Sequence, residues 1–302
     1  MRASVSVIIP TMNEEEAIVG VIMRCKEALK DHDYEMIVVD KSIDKTPELA
    51  RNAEANVIGQ TGSGVGQALI QGFSLAKGKI VLFLDGDGTY QPEDIPRLLE
   101  PILKDEADLV NGNRMTNIER GAMTATNYLG NKILTWVGNM LFNTKVKDSQ
   151  SGMKAFRKEL LDKMILWESG FAICSEILAE AAKLGARIAE IPVTYKKRVG
   201  KTKLNPVKAG GSIVLACIKL LREHNPLLLF GSIGVTLMLI GFVAVIPVIV
   251  EYVEYQTFTL IGRALFAALC WISGLLSIFA GFILNAINYS LRRMEERTRR
   301  FA

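Results

Sequence analysis

Cysteine is scarce in this sequence. Cys25, Cys174, Cys217 and Cys270 stand far apart and form no C-x-x-C pair. That spacing argues against a zinc site and a disulfide framework, and suits free thiols in a reducing compartment. A signal-peptide core is also missing: residues 1–10, MRASVSVIIP, hold an apolar run too short for one, which fits a first buried strand instead. There is no internal repeat and no low-complexity segment. Charge of one sign is in small excess, +4 over 302 residues. No aromatic platform interleaves with the basic residues, so nucleic acid is not an expected partner. Charge is absent altogether from Pro226 to Val250 and from Ala264 to Leu291. Each run exceeds the roughly 20 apolar residues that cross a bilayer, and the glycines and Pro247 inside them are tolerated in membrane helices.

What charge there is sits around those runs. Lys219 and Arg222 precede them, and Arg292, Arg293, Arg297, Arg299 and Arg300 follow. The link between them, Glu251 to Arg263, holds Glu251 and Glu254 and a single basic residue. Positive-inside logic places the N-terminal domain and the 292–302 tail in the cytoplasm. Ahead of the spans, Val207, Gly210, Val214, Cys217, Ile218 and Leu221 share one helical face, with Lys208, Ser212, Lys219 and Arg222 on the other. Residues 206–225 therefore read as an amphipathic helix lying along a membrane.

Residues 1–205 read as globular. Strands are expected at Val5 to Ile9, Tyr34 to Val39, Ala55 to Ile58 and Lys79 to Leu84. Helices are expected at Glu14 to Leu29, with Asn13 as N-cap, at Thr46 to Ala53 and at Gln67 to Ala76. The alternation implies βαβ units and a mostly parallel sheet. Further on, a helix is expected at Ala122 to Leu141, a strand at Ser151 to Phe156, a helix at Ala172 to Leu184 and a last strand at Ile188 to Val193. In such sheets ligands bind beyond the carboxyl ends of the strands. Those ends carry Pro10-Thr11, Asp40 and Asp85-Gly86-Asp87.

The D-x-D is the strongest chemical signal. Two carboxylates at one strand end repel unless a cation lies between them, and oxygen ligands suit Mg²⁺ or Mn²⁺, which can also hold a diphosphate. Gly62-Ser63-Gly64-Val65-Gly66 has the wrong spacing for a dinucleotide loop. It more simply lets a loop turn tightly into a helix.

Taken in order, Val7 to Glu15, Val38-Val39-Asp40, Gly64-Val65-Gly66-Gln67-Ala68, the D-x-D, Gly112-Asn113-Arg114, Asp148 to Met153 and Arg198 to Leu204 resemble glycosyltransferase family 2. The set is similar to the dolichyl-phosphate mannose and glucose synthases and their bacterial polyprenyl-phosphate relatives. The resemblance implies an α/β GT-A (Rossmann-like) catalytic domain followed by a two-helix transmembrane hairpin. It implies inverting transfer of a hexose from a UDP- or GDP-linked donor to dolichyl or polyprenyl phosphate. Pro10, Glu14 and Asp40 would bind the nucleoside. Asp85 and Asp87 would hold the metal on the donor diphosphate. Arg114, Lys132, Arg198, Lys201 and Lys203 would contact phosphate, and Asp148 would lie near the reacting centre. Lys41 stands where relatives carry a second Asp. Thr89 stands where they carry a metal-binding Gln, which leaves Thr89 or Gln91 as third ligand. Relatives also place an Arg near Asn127, for which Lys132 is the substitute here.

Two competitors remain in view. A processive polysaccharide synthase shares the domain, but no R-W pair occurs. A non-catalytic membrane scaffold is disfavoured by the intact D-x-D. The donor sugar stays open, with a tilt towards uracil from Gly88-Thr89-Tyr90, and so does a homo-oligomer.

Overall fold

The structure, a computed structural model, describes residues 4–200, 218, 221–222 and 225–301, with side chains as far as 290. The chain divides into two compact units, Met1–Ile213 and Val214–Ala302. The expected interfacial helix at 206–225 falls almost wholly outside the described residues, as do Lys201 and Lys203.

The first unit is a seven-stranded sheet: β1 Ser4–Thr11, β2 Asp33–Asp40, β3 Asn56–Gly59, β4 Ile80–Phe83, β5 Leu109–Asn113, β6 Lys154–Arg157 and β7 Ile188–Pro192, in the order β3-β2-β1-β4-β6-β5-β7. Its helices are α1 Ile18–Ala28, α2 Thr46–Asn52, α3 Val65–Leu75, α4 Ile95–Leu103, α5 Ala125–Phe142, α6 Lys158–Leu161 and α7 Ile173–Lys183. The central strands are continuously apolar because both faces are covered. Val5, Val7 and Ile9 of β1 enter one core with Met36 and Val38 of β2, whereas Ile8 enters the other with Ile37 and Val39. Such side chains are each worth about 1.5–3 kcal/mol when fully buried.

The sheet is mixed rather than simply parallel. Strand β6 runs antiparallel to both β4 and β5. Its N-terminal end therefore lies at the rim where β4 and β5 have their carboxyl ends, with Lys154 opposite Phe83 and Asn111. The reversal carries the Asp148–Met153 segment to the rim that holds the D-x-D. Helix α4 and strand β5 are the two elements the sequence pattern did not disclose. Pro96 and Pro101 read as helix breakers, but Pro96 sits in the first turn, where no intrahelical N–H is needed, and Pro101 near the end.

Asn13 is not an N-cap. It adopts a left-handed conformation, φ 54°, and its Oδ1 accepts from Ile43 N at 2.9 Å. The acidic run Glu14–Glu16 forms a turn that delays α1 to Ile18.

The second unit is a helical hairpin, α8 Pro226–Tyr255 and α9 Ile261–Phe301. Both helices overrun the expected spans, so the connection shrinks to 256–260. Pro226–Tyr255 and Ile261–Ser290 are each long and apolar enough to cross a membrane. They pack through small residues. A Cβ on Gly234 would lie 2.5 Å from Gly274 O, and one on Gly274 2.7 Å from Gly234 O. Gly241 presses on Trp271 in the same way, and Trp271 Nε1 donates to Met238 O at 3.2 Å. In membranes, close backbone approach of this kind takes the place of a hydrophobic driving force between helices.

Candidate active site

The strand order reverses between β1 and β4, and the crevice at their carboxyl ends is the natural ligand site of an open α/β sheet. Asp85 and Asp87 stand there, immediately after β4. Asp85 is set deep. Burial, and then the charge of Asp87, pushes its carboxyl up to about 7. Gly152 lies directly against it, since a Cβ there would come within 2.6 Å of Asp85 Oδ2. Asp87 is held by its own turn, its Oδ1 accepting from Thr89 N at 3.0 Å and Thr89 Oγ1 at 2.6 Å.

Gln91 is engaged elsewhere. Its Oε1 accepts from Arg24 at 2.6 Å, and its Nε2 donates to the carbonyls of Gly88 and Thr89. Of the two candidates for a third ligand, Thr89 is thus spent on Asp87 and Gln91 on Arg24. Among the described residues, no group of three or more His, Cys, Asp or Glu side chains could enclose a metal ion. The pair of acids nevertheless fits a hard divalent cation that takes its other ligands from a diphosphate and water. Two carboxylates, one already disfavoured by burial and by the other's charge, gain from a cation between them.

The segment 194–199 lies over this pair. Lys196 N donates to Thr89 O at 2.8 Å and Val199 N to Asp87 O at 3.2 Å. The guanidinium of Arg198 pairs with Glu14 and stands 3.5 Å from Asp87 Oδ2. Three of the expected residues, Glu14, Asp87 and Arg198, are thereby brought together from separate parts of the chain.

Arg114 and Asp148 form a second cluster. Arg114 Nε and Nη2 donate to Asp148 Oδ2 and Oδ1 at 2.7 and 2.8 Å, and Arg114 N donates to Oδ2 at 3.1 Å. Asp148 is fully buried, and the guanidinium lies 5.4 Å from the Tyr195 ring centroid. Removing one partner of such a pair strands a buried charge, at about 3–5 kcal/mol.

Asp40 closes the end of β2. It accepts from Thr11 Oγ1 at 2.7 Å, from Ser42 Oγ at 2.5 Å and from Ser42 N at 3.0 Å. Pro10 lies in β1 beside Val39. Lys41 reaches Gly62 O at 2.7 Å, and Lys132 stands apart from both clusters on α5, its Nζ 4.8 Å from the Tyr128 ring centroid. Gly64 has φ +93°, and Gly66 leaves no room for a Cβ against the carbonyl of Glu168. The loop does turn tightly into α3, and Ser169 O accepts from Gly66 N at 2.8 Å.

Residues 6–165 match the family described as glycosyl transferase family 2. The chain belongs to glycosyltransferase family 2. It is 34% identical over 304 residues to the glycosyltransferase AglJ of Haloferax volcanii, covering 97% of this chain and 98% of that one. It is 35% identical over 222 residues to the dolichyl-phosphate hexose transferase of the same organism, covering 73% of this chain and 95% of that one. The fold resembles glucosyl-3-phosphoglycerate synthase of Mycobacterium tuberculosis, solved in complex with Mn²⁺, UDP and glucosyl-3-phosphoglycerate. The TM-score is 0.59 at 24% identity, over 72% of this chain and 79% of that one. The chain is thus a glycosyltransferase with a GT-A-like fold and an apolar C-terminal hairpin.

Within this family 2 domain, several supporting residues escaped the sequence reading. Glu190 of β7 accepts from Asn111, Asn113, Lys147 N and Asp148 N, and so fixes the strand end and the approach to Asp148. Lys154 is fully buried. It donates to Asn111 Oδ1 and to Ser149 O, and burial lowers its ammonium to about 8. Tyr90 accepts from Gly152 N at 2.5 Å, holding the glycine beneath Asp85. The available signal was a charge out of phase in an apolar strand: Glu190 in Ile188–Pro192 and Lys154 in Met153–Phe156.

Proposed function

We propose that this glycosyltransferase moves a hexose from a nucleoside-diphosphate sugar to a polyprenyl phosphate held in a bilayer, with inversion at the anomeric carbon. The observation that carries the reading is the pair Asp85 and Asp87 at the sheet's switch point, in a chain that also bears a hairpin long enough to cross a membrane. Similarity to a dolichyl-phosphate hexose transferase supports the acceptor. The Mn²⁺ and UDP bound by glucosyl-3-phosphoglycerate synthase support the donor and the metal.

Asp85 and Asp87 would hold Mg²⁺ or Mn²⁺. When bound, the ion supplies charge stabilisation to the departing diphosphate. Glu14 and Asp40, at the ends of β1 and β2, orient the nucleoside together with Pro10. Arg198 leaves its pairing with Glu14 and turns to phosphate oxygens, aided by Lys201 and Lys203. The acceptor needs little deprotonation, because a phosphate monoester with a second pKa of about 6 is largely dianionic at neutral pH. Asp148 therefore acts by position. Its carboxylate fixes Arg114, which presents a rigid cation to the reacting phosphates. Lys132 adds a second, mobile cation. Keeping the domain at the membrane raises the effective concentration of the lipid acceptor. The charge placement around the hairpin puts the catalytic domain and the tail on the cytoplasmic side.

The test is release of nucleoside diphosphate by the detergent-purified chain given dolichyl phosphate, Mn²⁺ and a panel of GDP- and UDP-linked sugars. The expected result is one preferred donor, release that depends on the lipid phosphate, and a product of inverted anomeric configuration. Release that ignores the lipid phosphate would reject the acceptor.

A further inference from the structure

Helix α5 carries an apolar stripe that its own domain does not use. Leu134, Thr135, Val137 and Gly138 face the interior. Leu129, Ile133, Trp136 and Met140 are 59%, 44%, 65% and 45% exposed. Their spacing of i, i+4, i+7, i+11 puts all four within a narrow arc of one helical face. Helix α7 packs against α5, and close to its start Trp167 and Phe171 are exposed as well, at 76% and 70%. A row of this size is unusual on a soluble surface and marks an interaction site.

The charges around it identify the kind of partner. No acidic residue occurs between Glu119 and Asp148, whereas Arg120, Lys132, Lys145 and Lys147 fall in the same stretch. Lys132 lies on α5 at the border of the stripe, with its stem along Tyr128. An apolar stripe with tryptophan, a basic border and no carboxylate is the composition of a helix that lies in a lipid interface, apolar side down and cations at headgroup level. A soluble protein partner would be expected to meet some acidic residues in the rim.

We infer that the α5 stripe is a membrane-docking surface: Leu129, Ile133, Trp136 and Met140 enter the headgroup–acyl boundary, and Lys132 meets the lipid phosphates. It gives the catalytic domain a contact with the bilayer of its own, independent of the hairpin tether. It also gives Lys132, which no described contact links to the D-x-D, a depth at which a lipid-borne phosphate is met. The inference rests on the reading that the enzyme works at a bilayer.

The three tryptophans, Trp136, Trp167 and Trp271, separate this surface from the hairpin. The full chain is reconstituted in phosphatidylcholine vesicles whose acyl chains are brominated either at carbons 6 and 7 or at carbons 11 and 12. The W167F protein reports Trp136 and Trp271, the W136F/W167F protein reports Trp271 alone, and their difference is Trp136. Trp136 emission should fall about twofold with the shallow quencher and less with the deep one, as expected for burial of about 5–10 Å. Trp271, within a span, should respond more strongly to the deep quencher. An unquenched Trp136 beside a quenched Trp271 overturns the docking surface and assigns the stripe to a protein, a second copy of the chain included. A quenched Trp136 with an unquenched Trp271 upholds it and rejects the spanning hairpin. If neither is quenched, both fail.

Discussion

Asp85 shows how far a single residue's chemistry can be followed. Its carboxyl has a pKa of about 7 in the folded chain against 3.8 for the ordinary group. Below pH about 4 it is protonated in both folded and unfolded chains. As pH rises, the unfolded chain releases that proton first, so the metal-free protein loses stability from about pH 4 to 7 and levels off above. Asp85→Asn carries no such charge. In EDTA at pH 8 it should raise the thermal midpoint by about 5 °C or more, with the gain vanishing near pH 4. An unchanged midpoint at pH 8 would mean the carboxylate is solvated. Arg198 yields a second expectation. Its guanidinium stands 3.5 Å from Asp87 and pairs with Glu14, so it offsets the charge a metal would meet. Arg198→Gln should tighten Mn²⁺ binding to the nucleotide-free protein by about threefold or more, at ~1 kcal/mol for a partly exposed pair, while lowering turnover. Weaker Mn²⁺ binding would show that Arg198 does not oppose the metal. The D-x-D was legible because a strand and its acidic end are contiguous in sequence. The pairings were not: Arg114 with Asp148 and Glu14 with Arg198 lie 34 and 184 residues apart, and a linear pattern names charges without naming partners.

Among the elements, β6 matters most for the site. Only its antiparallel course brings Asp148, Gly152 and Lys154 to the rim of β4. A four-residue strand has no periodicity from which direction could be read. The parallel half was readable, because β1, β2 and β4 are apolar runs ending at Pro10-Thr11, Asp40 and Asp85. The start of α1 was misplaced for a local reason. Asn13 favours a left-handed turn, and its side chain is drawn to Ile43 across the loop rather than to its own helix. In the hairpin, length and absence of charge disclosed the helices, but the packing lay in a signal passed over: Gly234 and Gly241, and Gly274 and Gly281, recur seven residues apart. That spacing keeps small residues on one seam of a left-handed helix pair. Gly274→Leu should drive the helices apart at Gly234 and lower the hairpin's resistance to thermal denaturation in detergent. Gly262→Leu, where an added Cβ meets nothing within 4 Å, should not. Equal effects would show that the seam is not what holds the pair.

For the molecule as a whole, the sequence divides where chemistry and solvent divide. A mixed sheet gathers acids and arginines at one rim, and a charge-free hairpin supplies the membrane segment. This coarse plan was visible from composition alone. The finer plan was not, because the mixed sheet, the Glu190 and Lys154 supports and the exposed stripe of α5 all depend on which segments come together in space. The proposed enzyme needs both halves: paired acids to hold a cation on the donor diphosphate, and a lipid-level site where an already ionised phosphate attacks. Transfer of radiolabelled hexose into organic-extractable lipid tests this directly. It is measured in vesicles containing polyprenyl phosphate, with Mn²⁺ or EDTA, for the parent chain and for Asp87→Ala. Label should enter the lipid with Mn²⁺, fail to enter in EDTA, and fall by at least about 100-fold in the variant, the scale set by losing one electrostatic group at a transition state. Full transfer by Asp87→Ala with Mn²⁺, or undiminished transfer by the parent in EDTA, would contradict the metal-holding role of the pair.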